Sequence, residues 1–477
     1  MKSVLSAAIL FSSLSLVAQN EKNFNDTTRL LPVEITAIRA ADNAPFAKSN
    51  INKATIEKNN LGQDLPFILN QVPGVVVNSD AGNGVGYTGI RIRGTDATRI
   101  NVTLNGIPYN DAESQGTFFV NLPDIISSAN SIQVQRGVGT SSNGAAAFGG
   151  TINLATNGTN DKFYAELNNS AGSFNTWKNT FRFGSGLIGK HFTIDGRLSR
   201  IVSDGFIDRA SSDLKSYFVS ATYINGKSSI RMNIFSGKEK TYQAWYGIPE
   251  SKLKTHRSFN PAGNEHPGSP YSNETDNYSQ THYQLFFNHE FNPYWKAGIA
   301  LFSTRGAGYY EGYKSEASLL KYGLSDYYNG TNLISETDLI RRLWLDNHFY
   351  GTTFNVQHHK NKTDFAIGGG WNKYGGNHFG EIVWAKVQAA VPYKYRWYDL
   401  NATKSDFSLY TKLNQQIGKR WQAFADVQLR MVKYTINGFR ENPNLFINNT
   451  YDFLNPKFGL SYSFNGWRSF ISYAVGA

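Results

Sequence analysis

From Phe163 onward, apolar and polar residues alternate with a period of two. Phe192, Ile194, Gly196 and Leu198 fall on one parity, and Thr193, Asp195, Arg197 and Ser199 on the other. Tyr217, Val219, Ala221 and Tyr223 repeat the pattern, and Leu409, Thr411 and Leu413 carry a weaker version. Such a period predicts strands with one apolar and one polar face. The connections come in two kinds. Compact turn signals stand at Leu187–Lys190, Asn225–Lys227, Asn292–Tyr294, His359–Lys362, Ile417–Lys419 and Asn465–Gly466. Between them run long polar stretches, Ser203–Leu214, Glu239–Asp276, Gly306–Thr337, Lys373–Lys404 and Thr435–Asn455. Strands of about ten residues, joined alternately by short turns and long loops, make a transmembrane β-barrel, apolar outward and polar inward. Residues 157–477 are expected to form one. A soluble β-sandwich has no reason to keep that order of connections.

The first third of the chain reads differently. Ile68, Leu69 and Val72 follow a helical spacing, with Asp64 placed to cap the helix and Pro66 in its first turn. Pro73-Gly74 stops it, and Val75–Val77 starts a strand. Three glycine-punctuated pieces follow in order: Ile92-Arg93-Gly94, Leu104-Asn105-Gly106-Ile107-Pro108, and Val134-Gln135-Arg136-Gly137 with Phe148-Gly149-Gly150-Thr151-Ile152-Asn153. Each is a β-branched run entering a tight turn, and the glycines supply the positive φ that such turns need. At the N-terminus, residues 1–18 (MKSVLSAAILFSSLSLVA) have a charged start, an apolar Ser/Ala-rich stretch and a small residue at a cleavage point. They read as a secretory signal peptide and are left out of the fold. Residues 19–29 are polar.

The series of motifs from Leu31 to Thr156 resembles the plug domain of TonB-dependent outer-membrane receptors. The resemblance implies an N-terminal α+β plug (residues 38–156) inside a large antiparallel transmembrane barrel, mostly β overall. It also implies that 19–37 is a periplasmic segment carrying a TonB box at Leu31, Pro32, Val33, Glu34, Ile35 and Thr36. Physically such a box is a free β-prone segment that adds to the sheet edge of an energy-coupling protein of the inner membrane. The plug motif residues are Arg93, Gly94, Gly106, Arg136, Gly137, Gly149 and Gly150. The resemblance assigns Arg93 and Arg136, with Arg91 beside them, to carboxylates on the inner barrel wall. Barrels of this family have 22 strands, whereas about twelve are legible here, with Trp467–Tyr473 starting another. The barrel is therefore expected to be incomplete at the C-terminus.

Composition narrows the chemistry. The chain has 477 residues and no cysteine, so disulfides, thiol catalysis and Cys-ligated metals are excluded. Mean hydropathy is −0.41, and beyond the N-terminus no apolar run reaches the ~20 residues of a membrane helix. The net charge of +11 raises nucleic acid as a partner, but Lys and Arg are scattered singly and form no basic stripe. No nucleic-acid partner is expected. Tyr (27) and Phe (32) are abundant, as aromatic girdles at the two membrane interfaces require.

Within the resemblance, apical plug loops supply the ligand site. Tyr87, Tyr109, Asn110, Asp111, Glu113 and Gln115 are candidates there, with Trp245, Tyr246, Tyr309 and Tyr310 from the long barrel loops. Asp111 and Glu113 have no nearby histidine or nucleophile motif, so no catalytic residues, cofactor or resident metal are expected. His358, His359 and His378 read as surface residues before they read as iron ligands. The expected function is energy-coupled uptake of a ferric siderophore or similar iron chelate through the outer membrane of a Gram-negative bacterium, by a monomeric barrel seated in outer-membrane lipid. Cobalamin, haem or a glycan remain open as ligands. A passive porin-like channel, a secreted β-rich module and an outer-membrane enzyme remain as rival classes.

Overall fold

The computed structural model describes residues 39–41, 44–141, 144, 148–156 and 158–476. The stretches expected to be a signal peptide and a TonB box lie outside the described residues.

The N-terminal unit is built on a five-stranded mixed sheet, in the order Lys48–Asn52, Ala129–Arg136, Gly150–Thr156, Ile100–Leu104, Ile107–Pro108. Ile100–Leu104 and Gly150–Thr156 run parallel and the other pairs antiparallel. Alternation sorts the faces. Ile100, Val102, Leu104, Ile132, Val134, Ile152 and Leu154 join one core with Ile56, Leu65, Ile68, Leu69, Ile90 and Ile92 from the two helices and a β-hairpin. The opposite parity is polar yet equally buried, with Thr103 Oγ1 donating to Asn153 Oδ1 at 2.7 Å. Asn52 caps the helix Lys53–Asn59 by accepting from Thr55 N at 3.0 Å. Asp64 stands at the N-cap of Leu65–Ile68, but its carboxylate makes no capping bond. It turns instead to accept from Thr88 Oγ1 at 3.1 Å.

Two glycine motifs prove to be hairpin turns. Arg93 (φ 51°) and Gly94 (φ 82°) are the centre of a turn closed by paired bonds between Ile92 and Thr95. Asn105 (φ 55°) and Gly106 (φ 80°) form another between Leu104 and Ile107. Two successive positive φ values match the right-handed twist of the flanking strands, which is why Gly fills the second place.

The rest of the chain is one 13-stranded antiparallel sheet in sequence order, from Phe163–Gly172 to Trp467–Ala474. A small hairpin, Tyr327–Asn329 with Asn332–Ile334, is inserted in one loop. The parity read from the sequence is the parity observed: Thr193, Asp195, Arg197 and Ser199 are buried, while Phe192, Ile194 and Leu198 are exposed. Exposed apolar residues on one face and buried polar ones on the other suit a wall between lipid and a polar lumen. At the short-turn end Phe291, Tyr294, Trp295, Trp421, Phe464 and Trp467 are exposed and bracket the hairpins, as an interfacial belt does. No described helix is long and apolar enough to cross a membrane.

Every compact turn expected from the sequence is a hairpin connection, but the long stretches are shorter as loops than expected. Thr435–Asn455 is almost all ladder, with only Arg440 and Glu441 between its strands. Likewise Lys373–Lys404 is paired except for 386–394, and Gly306–Thr337 except around 319–335. The strand Glu336–Lys360 reaches 25 residues, well past the roughly 9–11 that span a bilayer. Beyond the lipid the outer face no longer needs apolar residues, so the two-residue period fades while the backbone pairing continues.

The plug core extends onto the wall, where Phe218 and Phe235 belong to the same cluster and stack at 5.6 Å. The approach is close enough to require a glycine: a Cβ on Gly237 would fall 2.2 Å from Asn121 O and 2.6 Å from Pro123 Cδ.

Candidate functional site

Two apical loops of the plug, 80–87 and 109–118, meet the upper ends of the barrel strands. The second loop is built by its own side chains. Asn110 Nδ2 donates to Ile100 O and Gln115 O, both at 2.8 Å, and Asn110 Oδ1 accepts from Val102 N at 2.7 Å. Asp111 Oδ1 accepts from Ser114 N at 2.7 Å and Glu113 N at 3.1 Å. The wall then ties the loop down. Gln115 Nε2 donates to Tyr434 Oη at 3.0 Å, Lys404 Nζ donates to Ala112 O at 3.3 Å, and Glu113 Oε2 lies 2.8 Å from His378 Nε2. Asn110 and Gln115 thus hold the loop's shape rather than present donors outward.

Between this loop and the wall lies a cavity of about 530 Å³. Tyr87, Tyr109, Tyr309 and Tyr310 line it together with Trp344 and Tyr374. Asp111, Glu113 and His378 stand at its edge, and Glu239 and Asp276 are buried against it. Tyr87 bonds the Asp276 carboxylate, and its ring meets Trp245 edge-on at 5.6 Å. Trp245 in turn meets Tyr310 at 5.5 Å. Trp245 and Tyr246 line an adjoining recess that shares Tyr87 and Tyr310 with the main cavity. Burial, with the negative charges of Glu239 and Asp276 adding to it, raises the Tyr87 phenol well above its ordinary range. Burial does the same for Tyr109. Both remain neutral hydrogen-bond donors, Tyr109 to Phe118 O at 3.2 Å.

The structure therefore brings Tyr87, Tyr109, Asp111, Glu113, Tyr309 and Tyr310 to one cavity. His378 joins them, engaged with Glu113. His358 packs on Trp295 at 4.4 Å and His359 pairs with Asp364, both at the short-turn end of the sheet. No group of three or more His, Asp or Glu placed to hold a metal occurs among the described residues.

Among the described residues, the plug meets the wall at places other than the expected arginines. Arg136 donates to Pro73 O at 3.0 Å, and the Arg93 guanidinium lies beside Gly137. Neither meets a wall carboxylate among the described residues, because both side chains lie along the plug's own Pro73-Gly74 turn. The fastening runs the other way, from a plug carboxylate to wall cations. Asp124, in a left-handed conformation (φ 53°), is held by Lys178 Nζ at 2.9 Å, Arg197 at 4.0 Å, Thr180 Oγ1 at 2.7 Å and Ser199 Oγ at 2.6 Å. Burial alone would raise Asp124; Lys178 and Arg197 outweigh it and hold the carboxyl well below its usual range. A second fastening joins Ser141 N and Oγ to Asp426, at 2.7 and 2.5 Å, beside Lys457 at 3.1 Å from the same hydroxyl. Sequence reasoning missed Asp124, Lys178, Arg197, Glu239 and Asp276. Parity could have found the lysine and arginine, which alternate with exposed Trp177, Phe181 and Leu198. Nothing local marks Asp124.

Residues 40–151 match the family described as the TonB-dependent Receptor Plug Domain. Among solved structures, the chain is similar to the ferric-catecholate import receptor Fiu from E. coli K12, open form, at 15% identity and TM-score 0.67, over 91% of this chain and 70% of that one. It is similar to the ferric yersiniabactin uptake receptor FyuA from Yersinia pestis at 12% identity and TM-score 0.68, over 91% of this chain and 65% of that one. The ferric citrate transporter FecA, unliganded, aligns at 14% identity and TM-score 0.68, over 90% of this chain and 62% of that one. No curated protein matches the chain. At these identities the likeness is one of fold.

Proposed function

We propose that this chain, a TonB-dependent receptor in its plug domain and its fold, takes up an iron chelate across the outer membrane at the expense of energy delivered from the inner membrane. The observation that carries the reading is the cavity where the apical plug loops meet the wall, above a plug that is fastened to the barrel. A passive pore needs no such plug. Solved receptors of the same fold import ferric chelates, which supports that ligand class.

In this reading the ligand enters from the long-loop end and contacts Tyr87, Tyr109, Asp111, Glu113, Tyr309 and Tyr310, with Trp245 and Tyr246 beside them. Occupancy shifts the population in which residues 31–36 are offered to a TonB-type protein. That protein engages the segment by β-augmentation and pulls the plug. The polar seam at Asp124 and Asp426 is what the pull has to part. No covalent step is involved.

The test is growth under iron limitation of a receptor-deleted Gram-negative host carrying the gene, with and without residues 31–37, on a panel of ferric siderophores. Growth restored only by the intact form establishes energy-coupled iron uptake. Rescue that survives the deletion overturns the coupling, and no rescue on any iron source overturns the iron chelate.

A further inference from the structure

We infer that the floor of the cavity receives a positively charged group of the ligand, an ammonium or guanidinium, between Glu239 and Asp276. The inference rests on the uptake reading and narrows its ligand class.

Glu239 is 2% exposed and lines the cavity; its carboxylate has no cation partner among the described residues, and the Thr241 hydroxyl, two residues along the same strand, is the one side-chain donor that acts on it, without reaching full hydrogen-bond geometry. The charges that act on it are Asp276 and Asp64, both of its own sign. Strand register explains the pairing. Glu239 stands opposite Tyr278 and Thr241 opposite Asp276, so the two acids share the inward face on adjacent strands. A buried carboxylate without a cation or donors is unfavourable unless something supplies them.

The cavity's own cations do not. Lys404 Nζ donates to Ala112 O and sits 5.0 Å over the Tyr434 ring. Arg440 bonds Glu441 at 2.9 Å. His378 is engaged with Glu113. What lacks a counter-cation at the floor is the pair of acids, Glu239 and the Tyr87-bonded Asp276, ringed by tyrosines whose faces attract cations. Arg342 already uses one of these rings, its guanidinium 4.3 Å from the Tyr309 centroid.

The chain's net charge of +11 would favour an anion at long range, but fields from distant charges are screened within about 8 Å at physiological salt. At the floor the local acids decide. An anionic chelate seated there would meet Glu239 and Asp276 with no cation between them, the Tyr87 hydroxyl being already given to Asp276.

The test is tryptophan-quenching titration of the purified receptor in detergent. One probe is a linear ferric tris-hydroxamate with a free terminal ammonium, the second its N-acetylated neutral form, and the third an anionic ferric tris-catecholate. Butylammonium and butyrate are titrated in parallel and need no iron. The ammonium chelate is expected to bind about tenfold tighter than the acetylated one. Glu239→Gln should erase that preference and Asp276→Asn reduce it. Glu290→Gln, at the short-turn end beside Lys296, should leave it intact and serves as a folding control. Equal binding of the two hydroxamates, or tightest binding of the catecholate, overturns the inference while leaving iron uptake standing. Binding of butylammonium that Glu239→Gln abolishes, with no chelate bound, upholds the inference and overturns the iron reading. If neither chelate nor butylammonium binds, the inference is wrong.

Discussion

The lumen of this barrel holds two buried carboxylate sites that the protein treats in opposite ways. At the seam, Asp124 is met by Lys178, Arg197, Thr180 and Ser199, with Ser127 Oγ at 2.6 Å from its own turn. At the cavity floor, Glu239 has no cation and only the Thr241 hydroxyl of its own strand acting on it, and its charged neighbours are acids. Burial is similar, so burial does not separate them. The difference lies in which residues the inward parity of the neighbouring strands carries. Around Asp124, Thr176–Ser185 and Phe192–Ser203 turn Lys178, Arg182 and Arg197 inward; at the level of the cavity, Ser228–Tyr242 and Thr275–Asn292 turn in Glu239, Thr241 and Asp276, while Arg231 of the same face stands nearer the short turns, over the Phe286 ring. The first arrangement is self-sufficient and suits a fastening. The second is incomplete without a ligand group.

Breaking the seam should have the largest effect. Asp124→Ala leaves Lys178 and Arg197 buried without their counter-charge, and removing one partner of a buried pair costs about 3–5 kcal/mol. Chemical denaturation in detergent should show a loss of that order, with the plug becoming sensitive to protease first. Asp124 is held below its ordinary pKa. Its contribution is therefore complete above about pH 4 and falls away as the pH drops through the lowered value. An unchanged midpoint at pH 7 would reduce the seam to a packing contact.

Asp64 sharpens the comparison from the plug side. Burial raises its carboxyl to about 7, with the charge of Asp124 adding to the rise and the Thr88 bond opposing it. A carboxyl raised on folding binds its proton more tightly in the native state, so stability declines as pH climbs from about 4 to 7. Asp64→Asn should remove that decline and stabilise the protein by about 2–4 kcal/mol at pH 8. At pH 4 it should change little. Denaturation midpoints at the two pH values check this, and equal effects at both would contradict the assigned burial.

The two sites were unequally legible in the sequence. The period of two gave the wall and its inward face, because lipid on one side and lumen on the other force alternation. It therefore exposed Lys178 and Arg197 in principle. It lost Glu239 and Asp276 because they sit where strands rise past the lipid and the outward face stops being apolar; there the chain reads as loop. Asp124 was invisible because its partners lie on strands more than fifty residues away. Glycine motifs were legible as turns, and Arg93 occupies the centre of one of them. Tyr87 and Tyr109 were singled out because the resemblance places the ligand on the apical plug loops, and the structure brings both to the cavity. Asn110 and Gln115 were chosen on the same ground and staple their loop.

Glu239→Gln tests the comparison with the opposite sign from Asp124→Ala. Neutralising an acid that has no cation partner and only like charges around it should raise stability by about 1–3 kcal/mol at pH 8 in the absence of ligand. The same denaturation series measures it. A loss instead would mean that Glu239 has a partner in solution, and the contrast between the two sites would collapse.

The smallest effect belongs to the contact that joins both regions. Glu113, on the apical plug loop, meets His378 of the wall at 2.8 Å, with side chains 30% and 38% exposed. It is an ion pair only when His378 is protonated. Exposed pairs contribute about 0.2–1 kcal/mol, far less than the Asp124 cluster. A double-mutant cycle of Glu113→Gln and His378→Gln should give a coupling in that range, larger at pH 5.5 than at pH 8 because the histidine gains charge over this interval. A weak, wet latch is what a ligand-contacting loop requires, since it has to yield when the cavity fills while the seam beneath still holds. A coupling as large as that of Asp124 with Lys178 would make the loop a second fastening, and the division of the lumen into a held seam and a yielding cavity would fail at its upper edge.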